Sequence, residues 1–227
     1  MVKRKMDENV MERMDGLGLS GSSRFMCLRK RLDDLGCVFE YVTMPLEDGS
    51  SIDEQCHRLA LAQLYEQVML SQLDWFRRLI QSLSVADYPE PTMRWNPAEA
   101  FAEQMTQQQI LSLVRVDADR NKAPSLYTDF SRSLCLSHEV DSSMMRKALF
   151  AEWTDVLGLR VQDNPVVLSW ADAPWQGSSK PAQRKLRCAW TDFFCPAPFG
   201  QHRWCLTIWN PARRTLAAVA ACSTVQS

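Results

Sequence analysis

The sequence predicts an α+β fold in which a helix-rich N-terminal two-thirds packs on a small antiparallel, Trp-rich C-terminal sheet. Apolar residues recur at helical spacing up to about residue 160, and runs rich in β-branched and aromatic residues dominate afterwards. Such segregation of helices and strands favours α+β over an alternating α/β arrangement. Six of the eight tryptophans fall between Trp153 and Trp209, and each indole can bury on the order of 200 Å². We therefore expect a dense aromatic core in the C-terminal third.

Length and composition predict one folded domain behind a short N-terminal segment. The chain has 227 residues, of which 46% are hydrophobic. A chain of this size buries roughly 70% of its unfolded surface, so it needs no disulfide or structural metal to fold. Residues 1–23 are polar or rich in Gly and Ser, which predicts a flexible segment. Residues 24–227 are predicted to form a single α+β domain, with any sub-boundary near residue 160.

The domain is predicted to begin with a helix and a strand. Apolar residues recur at helical spacing from Phe25 to Leu35, and Gly36 is suited to end the helix. The following run, 37–44, is rich in β-branched and aromatic residues and predicts a strand.

A long helix over 52–83 is the clearest predicted element. Ser51 and Glu54 have the spacing of a capping box, and no Gly or Pro interrupts the chain from there to Leu83. A helix of roughly 30 residues would be about 45 Å long, so either a break near Ser71 or a flanking partner is expected. One broad apolar stripe is predicted along it, formed by Leu61, Leu64, Tyr65, Val68, Phe76, Leu79, Ile80 and Leu83.

The middle of the chain is harder to assign. Asn96 and Pro97 predict the start of a helix that carries Phe101 and Met105. The run 110–116 fits either a strand or the tail of that helix, and the strand is favoured. Asp141 is predicted to cap a further helix that runs to Gly158.

Three strands are predicted near the C-terminus. The runs 166–170, 203–209 and 215–222 have strand composition, and the last two predict a hairpin. Both faces of 203–209 are apolar, so this strand is expected to be central or covered on both sides. The early strand, 37–44, is a candidate to join the same sheet.

Charge and motif content argue against several functional classes. The 26 Lys and Arg nearly balance the 27 Asp and Glu, which argues against a broad phosphate-binding surface. The basic run of Lys180, Arg184 and Lys185 lies between Trp175 and Trp190, a pattern compatible with single-stranded nucleic acid or with a solvated loop. Nucleic-acid binding through 180–190 is kept as the weakest alternative. No phosphate-binding loop is present, and no cofactor is predicted.

The cysteines are predicted to be reduced, because the chain is long and lacks tight Cys spacing. Four potential zinc ligands fall within 18 residues without the usual knuckle spacing, so no metal site is predicted; they are Cys188, Cys195, His202 and Cys205. The best local cluster for catalysis is Cys135 with His138 and Glu139, since a thiol enzyme needs a cysteine within reach of an imidazole.

The leading functional prediction is a non-catalytic interaction protein of the adaptor or immunity/inhibitor type. The helix 52–83 carries apolar residues outside its main stripe, namely Leu59, Met69, Leu70, Leu73 and Trp75. A helix that is apolar nearly all round is central in a core or lies in an interface. We therefore expect a protein partner or a homo-oligomer, with Trp75, Trp175 and Trp190 as candidate binding residues. A cytoplasmic location without membrane attachment is expected, and a hydrolase or transferase with a dispersed site is the alternative.

Overall fold

Five helices and five strands make up the part of the chain described by the computed structural model, which covers residues 23–47, 52–83, 89–116, 125–136, 142–171, 190–193 and 203–222. In chain order they are α1 (Ser23–Asp34), β1 (Glu40–Pro45), α2 (Glu54–Leu83), β2 (Phe101–Gln104), α3 (Gln107–Leu113), α4 (Leu126–Ser133), α5 (Ser142–Val156), β3 (Val166–Ala171), β4 (Arg203–Asn210) and β5 (Thr215–Cys222). The predicted α+β class is confirmed.

All five strands form one antiparallel sheet in the order β1-β5-β4-β3-β2. The predicted hairpin is present, with β4 and β5 in register from Arg203 opposite Cys222 to Asn210 opposite Thr215. The early strand does join this sheet, since β1 pairs with β5 along its whole length. The C-terminal strands therefore form the centre of the sheet, and β1 and β2 form its edges.

Helices cover both faces of the sheet, which makes three layers. Helices α1, α3, α4 and α5 pack on one face, here called the first face, around Leu206 and Ile208 of β4. Helix α2 packs on the opposite, second face, around Cys205 of β4 and the alanines of β5. The expectation that β4 is covered on both sides is confirmed.

The aromatic core is divided between the two faces, and it draws on more of the chain than the sequence predicts. On the first face, Trp153 stacks on Phe130 at 4.9 Å between ring centroids and meets Phe39 edge-to-face at 5.1 Å. On the second face, Trp95 meets Trp190 at 5.0 Å. Residues from the N-terminal half supply an essential share of both clusters.

The predictions for 96–116 are only partly correct. Asn96 and Pro97 begin a short 3-10 helix, Pro97–Glu99, but this helix does not continue to Phe101 and Met105. Phe101 belongs to strand β2, which pairs with β3 at the sheet edge, instead of to a helix. The favoured strand over 110–116 is absent, because Thr106 and Gln109 form a reciprocal capping box that begins α3. Helix α4 was not predicted at all.

Helix α2 is continuous over 30 residues, with no break at Ser71. Ser51 of the predicted capping box lies outside the described residues. Within them, the carboxylate of Asp53 accepts from the amide of Cys56 at 3.0 Å. A carboxylate at this position satisfies an unpaired amide and lies at the positive end of the helix. Glu54 instead pairs with Arg58 one turn later.

Gly158 ties the end of α5 to the central strand β4. It has a φ of +75°, and a Cβ added there would lie 2.9 Å from Cβ of Asn210. The buried amide of Asn210 donates to the carbonyl of Gly158 and to the carboxylate of Asp163, each at 2.9 Å. Gly36, which follows α1 as predicted, also has a positive φ of +72°, but its nearest neighbour is the exposed Cys135 sulfur at 3.2 Å.

We therefore expect Gly158→Ala to lower the free energy of unfolding by about 3 kcal/mol, from backbone strain and the clash with Asn210 together. Gly36→Ala is the matched control, with backbone strain of about 1 kcal/mol and a neighbour that can move. Urea unfolding of both variants measures the difference. Equal losses would show that the approach to Asn210 does not constrain the fold.

Candidate functional site

A buried polar cluster joins the start of α2 to the centre of the sheet. His57 is buried in the first turn of α2, and its Nδ1 lies 2.7 Å from Oγ1 of Thr207 on β4. The indole Nε1 of Trp170 donates to the same hydroxyl at 2.8 Å. Thr207 is fully buried in the sheet, so its hydroxyl, which contacts both of these side chains, is closed to solvent.

Burial lowers the pKa of His57 to about 4, although the charges of Asp53 and Glu54 act in the opposite direction. The imidazole is therefore neutral near pH 7. The hydrogen bond between neutral His57 and the buried Thr207 hydroxyl fixes α2 on the sheet, because a buried polar group must find a partner inside the protein. The cluster has the residue types of a nucleophile and its base, but it is enclosed in the second-face core.

Arg58 extends this anchor to the chain that follows α2. Its guanidinium lies 5.0 Å from the ring centroid of Trp170, and it donates to the carbonyls of Pro97 and of Ala100, the latter at 3.2 Å. Since the same group also pairs with Glu54, its donors are directed at atoms of this chain.

A second cluster of charges surrounds Asp155 at the end of α5. This nearly buried carboxylate pairs with Arg24 at 2.8 Å, with Arg213 at 2.5 Å and with Arg160. Burial raises its pKa, but these ion pairs outweigh burial and hold the pKa below its usual value. Arg213 also lies 3.4 Å from the carboxylate of Asp163, so the cluster holds α1, α5 and the β4–β5 turn together.

Of the predicted catalytic trio, only Cys135 lies within the described residues. It is exposed, and its amide donates to the carbonyl of Leu35 at 2.8 Å. Nearby, the Ser133 hydroxyl donates to the sulfur of Cys37 at 3.8 Å, and burial raises the pKa of that thiol to about 11. His138 and Glu139 lie outside the described residues. The hypothesis that this trio forms the active site of a thiol enzyme therefore stays a prediction.

The other candidate residues are placed only in part. Cys205 is buried in the second-face core, and the five cysteines whose side chains are described are free thiols. The remaining metal candidates, Cys188, Cys195 and His202, fall outside the described residues, as do Trp175, Lys180, Arg184 and Lys185. Among the described side chains, no group of three or more His, Cys, Asp or Glu is arranged to hold a metal ion.

The two described tryptophans of the predicted binding set have opposite environments. Trp190 is fully buried against Trp95 and therefore belongs to the second-face core instead of to an exposed surface. Trp75 on α2 is 64% exposed. It follows Val68 by seven residues, nearly two full turns, and so continues the sheet-facing side of the helix.

Helix α2 changes environment at Val68. His57, Ala60, Leu61, Leu64, Gln67 and Val68 are buried on the sheet side, but every side chain from Met69 to Ser82 retains solvent exposure. The apolar stripe predicted for this helix is less buried beyond Val68 than before it, since Phe76, Leu79 and Ile80 are only partly buried. None of the described helices, α2 included, is long and apolar enough to cross a membrane.

A second apolar row, here called the outer stripe, lies on the side of α2 turned away from the sheet. Its positions are separated alternately by three and four residues, and they are Leu59, Ala62, Glu66, Met69, Leu73, Phe76 and Ile80. Leu59 is 57% exposed, Glu66 is exposed, and the others are partly buried. Alternating spacing of this kind is the pattern by which one helix packs along another. The sequence already flagged Leu59, Met69 and Leu73, but it could not show which side of the helix faces the sheet.

A shallow groove of about 500 Å³ lies on the opposite side of the molecule, between α3 and β4. Met105, Thr106, Gln109 and Trp204 are among its lining residues, none of which is ionisable. The indole Nε1 of Trp204 donates a hydrogen bond to the carboxylate of Asp129 at 2.8 Å, which fixes the ring. The groove therefore offers no group suited to acid–base catalysis.

Comparison of the chain with protein-family models, with curated proteins and with solved structures found no match.

The His57 anchor predicts a specific dependence of stability on pH. The unfolded chain, with a histidine pKa near 6.5, binds a proton more readily than the folded chain, with a pKa of about 4. The free energy of unfolding should therefore fall as the pH is lowered through this window, by about 3 kcal/mol from His57 alone. Urea unfolding at several pH values measures the loss in the native chain and in His57→Gln, which has no group titrating in this range at that position. Identical pH profiles for the two proteins would contradict the anchor.

Proposed function

We propose that this chain is a non-catalytic protein-interaction protein of the adaptor or inhibitor type, whose interaction surface is the outer stripe of α2. The observation that carries the proposal is the outer stripe itself. It extends from Leu59 to Ile80 on a continuous helix, faces away from the sheet, and keeps part of its apolar area in solvent. Leu59 is exposed and the other apolar members are partly exposed. Contiguous apolar patches that remain in solvent are limited in size on monomeric proteins, and larger ones mark interaction sites.

The spacing of the stripe favours an α-helical partner. Rows separated alternately by three and four residues repeat every 3.5 residues on average, which keeps the row facing a second helix along its length. An extended strand would need a sheet edge or a groove, because its side chains repeat every two residues. The partner is therefore expected to present an amphipathic helix with its own apolar row.

Two reactive groups of the described chain fit a role without chemistry. The Thr207 hydroxyl is enclosed and contacts His57 and Trp170, so it has no access to a substrate. Burial raises the pKa of the Cys37 thiol to about 11, and a thiol that stays protonated near neutral pH is a poor nucleophile.

Site-specific photo-crosslinking tests the proposal. A photoreactive phenylalanine analogue at Phe76 should give a discrete protein adduct in cells that express the chain, because the outer stripe contacts a partner there. The same analogue at Phe101 is the matched control, since that ring is 43% exposed on the edge strand β2 and lies off α2.

The adduct at position 76 should disappear when Leu73→Asp is added, because a charge in the middle of the stripe opposes apolar burial. Urea unfolding of the Leu73→Asp variant confirms that it is folded. Adducts of equal yield at positions 76 and 101, or none at 76, would refute an interaction through the outer stripe.

A further inference from the structure

We infer that the helix bound by the outer stripe is α2 of a second copy of this chain, packed antiparallel. This inference depends on the proposed function, because it names the partner of the same surface. It is carried by the symmetry of the stripe from Ala62 to Ile80 about the level of Ser71, which lies halfway between these two residues.

The side chains of the outer stripe are complementary to themselves in this antiparallel register. Residues equidistant from position 71 face each other across the two-fold axis, so Met69 lies opposite Leu73 of the second copy, and Ala62 lies opposite Ile80. The first pair joins two side chains of similar volume, one of which is flexible, and the second joins a small side chain with a large one. An isologous interface requires such self-complementarity, since one surface supplies both sides.

The charge within the stripe selects the antiparallel direction. Glu66 is exposed and is the charged member of the outer stripe. In an antiparallel pair it lies opposite Phe76 and beside Arg77 of the second copy. In a parallel pair it would face Glu66 of the second copy, where like charges repel. Arg77 now pairs with Glu90 at 3.1 Å, with both side chains more than half exposed, and such pairs contribute little stability.

The size of the contact implies a reversible dimer. The row from Ala62 to Ile80 is about 27 Å long, at 1.5 Å per residue. A single helix seam of this length lies at the lower end of specific interfaces. We therefore expect a dimer that dissociates in the micromolar range.

Sedimentation equilibrium of the full chain, from nanomolar to about 100 micromolar, should show this dimer. Leu73→Asp should raise the dissociation constant at least about 100-fold, because it places a charge in the seam. Trp75→Asp is the matched control. Trp75 is more exposed than the stripe residues and lies two residues away on the other side of the helix, so the dissociation constant should stay within about twofold.

Charge exchange then tests the direction of packing. Glu66→Arg and Arg77→Glu should each weaken the dimer about tenfold, and the double variant should restore it, because the two side chains meet only across an antiparallel pair. Glu90→Gln removes the partner of Arg77 within the chain and should leave the dimer intact. In addition, Glu66→Leu should tighten the dimer about tenfold by completing the apolar row, a gain that a misfolded variant does not show.

The possible outcomes separate this inference from the proposed function. A chain that stays monomeric while Phe76 crosslinks to a different protein overturns the second copy and leaves the interaction surface intact. A monomer without an adduct at Phe76 overturns both. A dimer unaffected by Leu73→Asp, or one in which the double charge exchange fails to restore binding, also overturns the antiparallel arrangement.

Discussion

Most of this architecture follows from a sheet whose central strands are apolar on both faces. Strands β4 and β5 alternate between two buried environments, so neither face tolerates water. Four helices share the first face, whereas α2 supplies the helical cover of the second face within the described residues. The four alanines and one valine of the run Ala217–Ala221 on β5 let the helices approach closely from both sides. Helix α2 continues for 30 residues, but its buried side chains end at Val68, so the remainder of the helix extends past the part that covers the sheet.

Polar groups inside this arrangement serve the packing. Thr207 lies where α2 crosses the sheet, and its hydroxyl is satisfied by His57 from the helix and by Trp170 from the neighbouring strand. The depressed pKa of His57 is a consequence of that burial, and Asp155 shows the same principle with charges, since its arginines offset the cost of burying a carboxylate. In both places, residue types common in active sites act as connectors between layers. Beyond Val68, by contrast, the side chains of α2 stay at least partly exposed. The ion pair of Arg77 with Glu90 in this part of the helix lies at the surface.

The sequence predicted those elements whose signals are local. Helix α1 with Gly36 after it and the β4–β5 hairpin were correct because spacing and turn residues are read within a few positions. Strand β2 was missed because its four residues gain their conformation from pairing with β3, a contact distant in sequence. Phe76 and Ile80 of the outer stripe were assigned to the main stripe, because helical periodicity gives relative angles but not the side that faces the sheet. For the same reason His57 was not connected with Thr207, which is 150 residues away, and the burial of Trp190 was not foreseen.

The central claim is that the first half of α2 is held by the sheet while its second half is free to bind another helix. Amide hydrogen exchange measured along α2 at low and at high protein concentration tests this most directly. We expect residues 54–68 to be protected equally at both concentrations, and residues 69–83 to exchange rapidly when dilute and slowly when concentrated, since protection reports local stability. Equal and strong protection along the whole helix in dilute solution would show that the chain itself covers the outer stripe, and would contradict the claim.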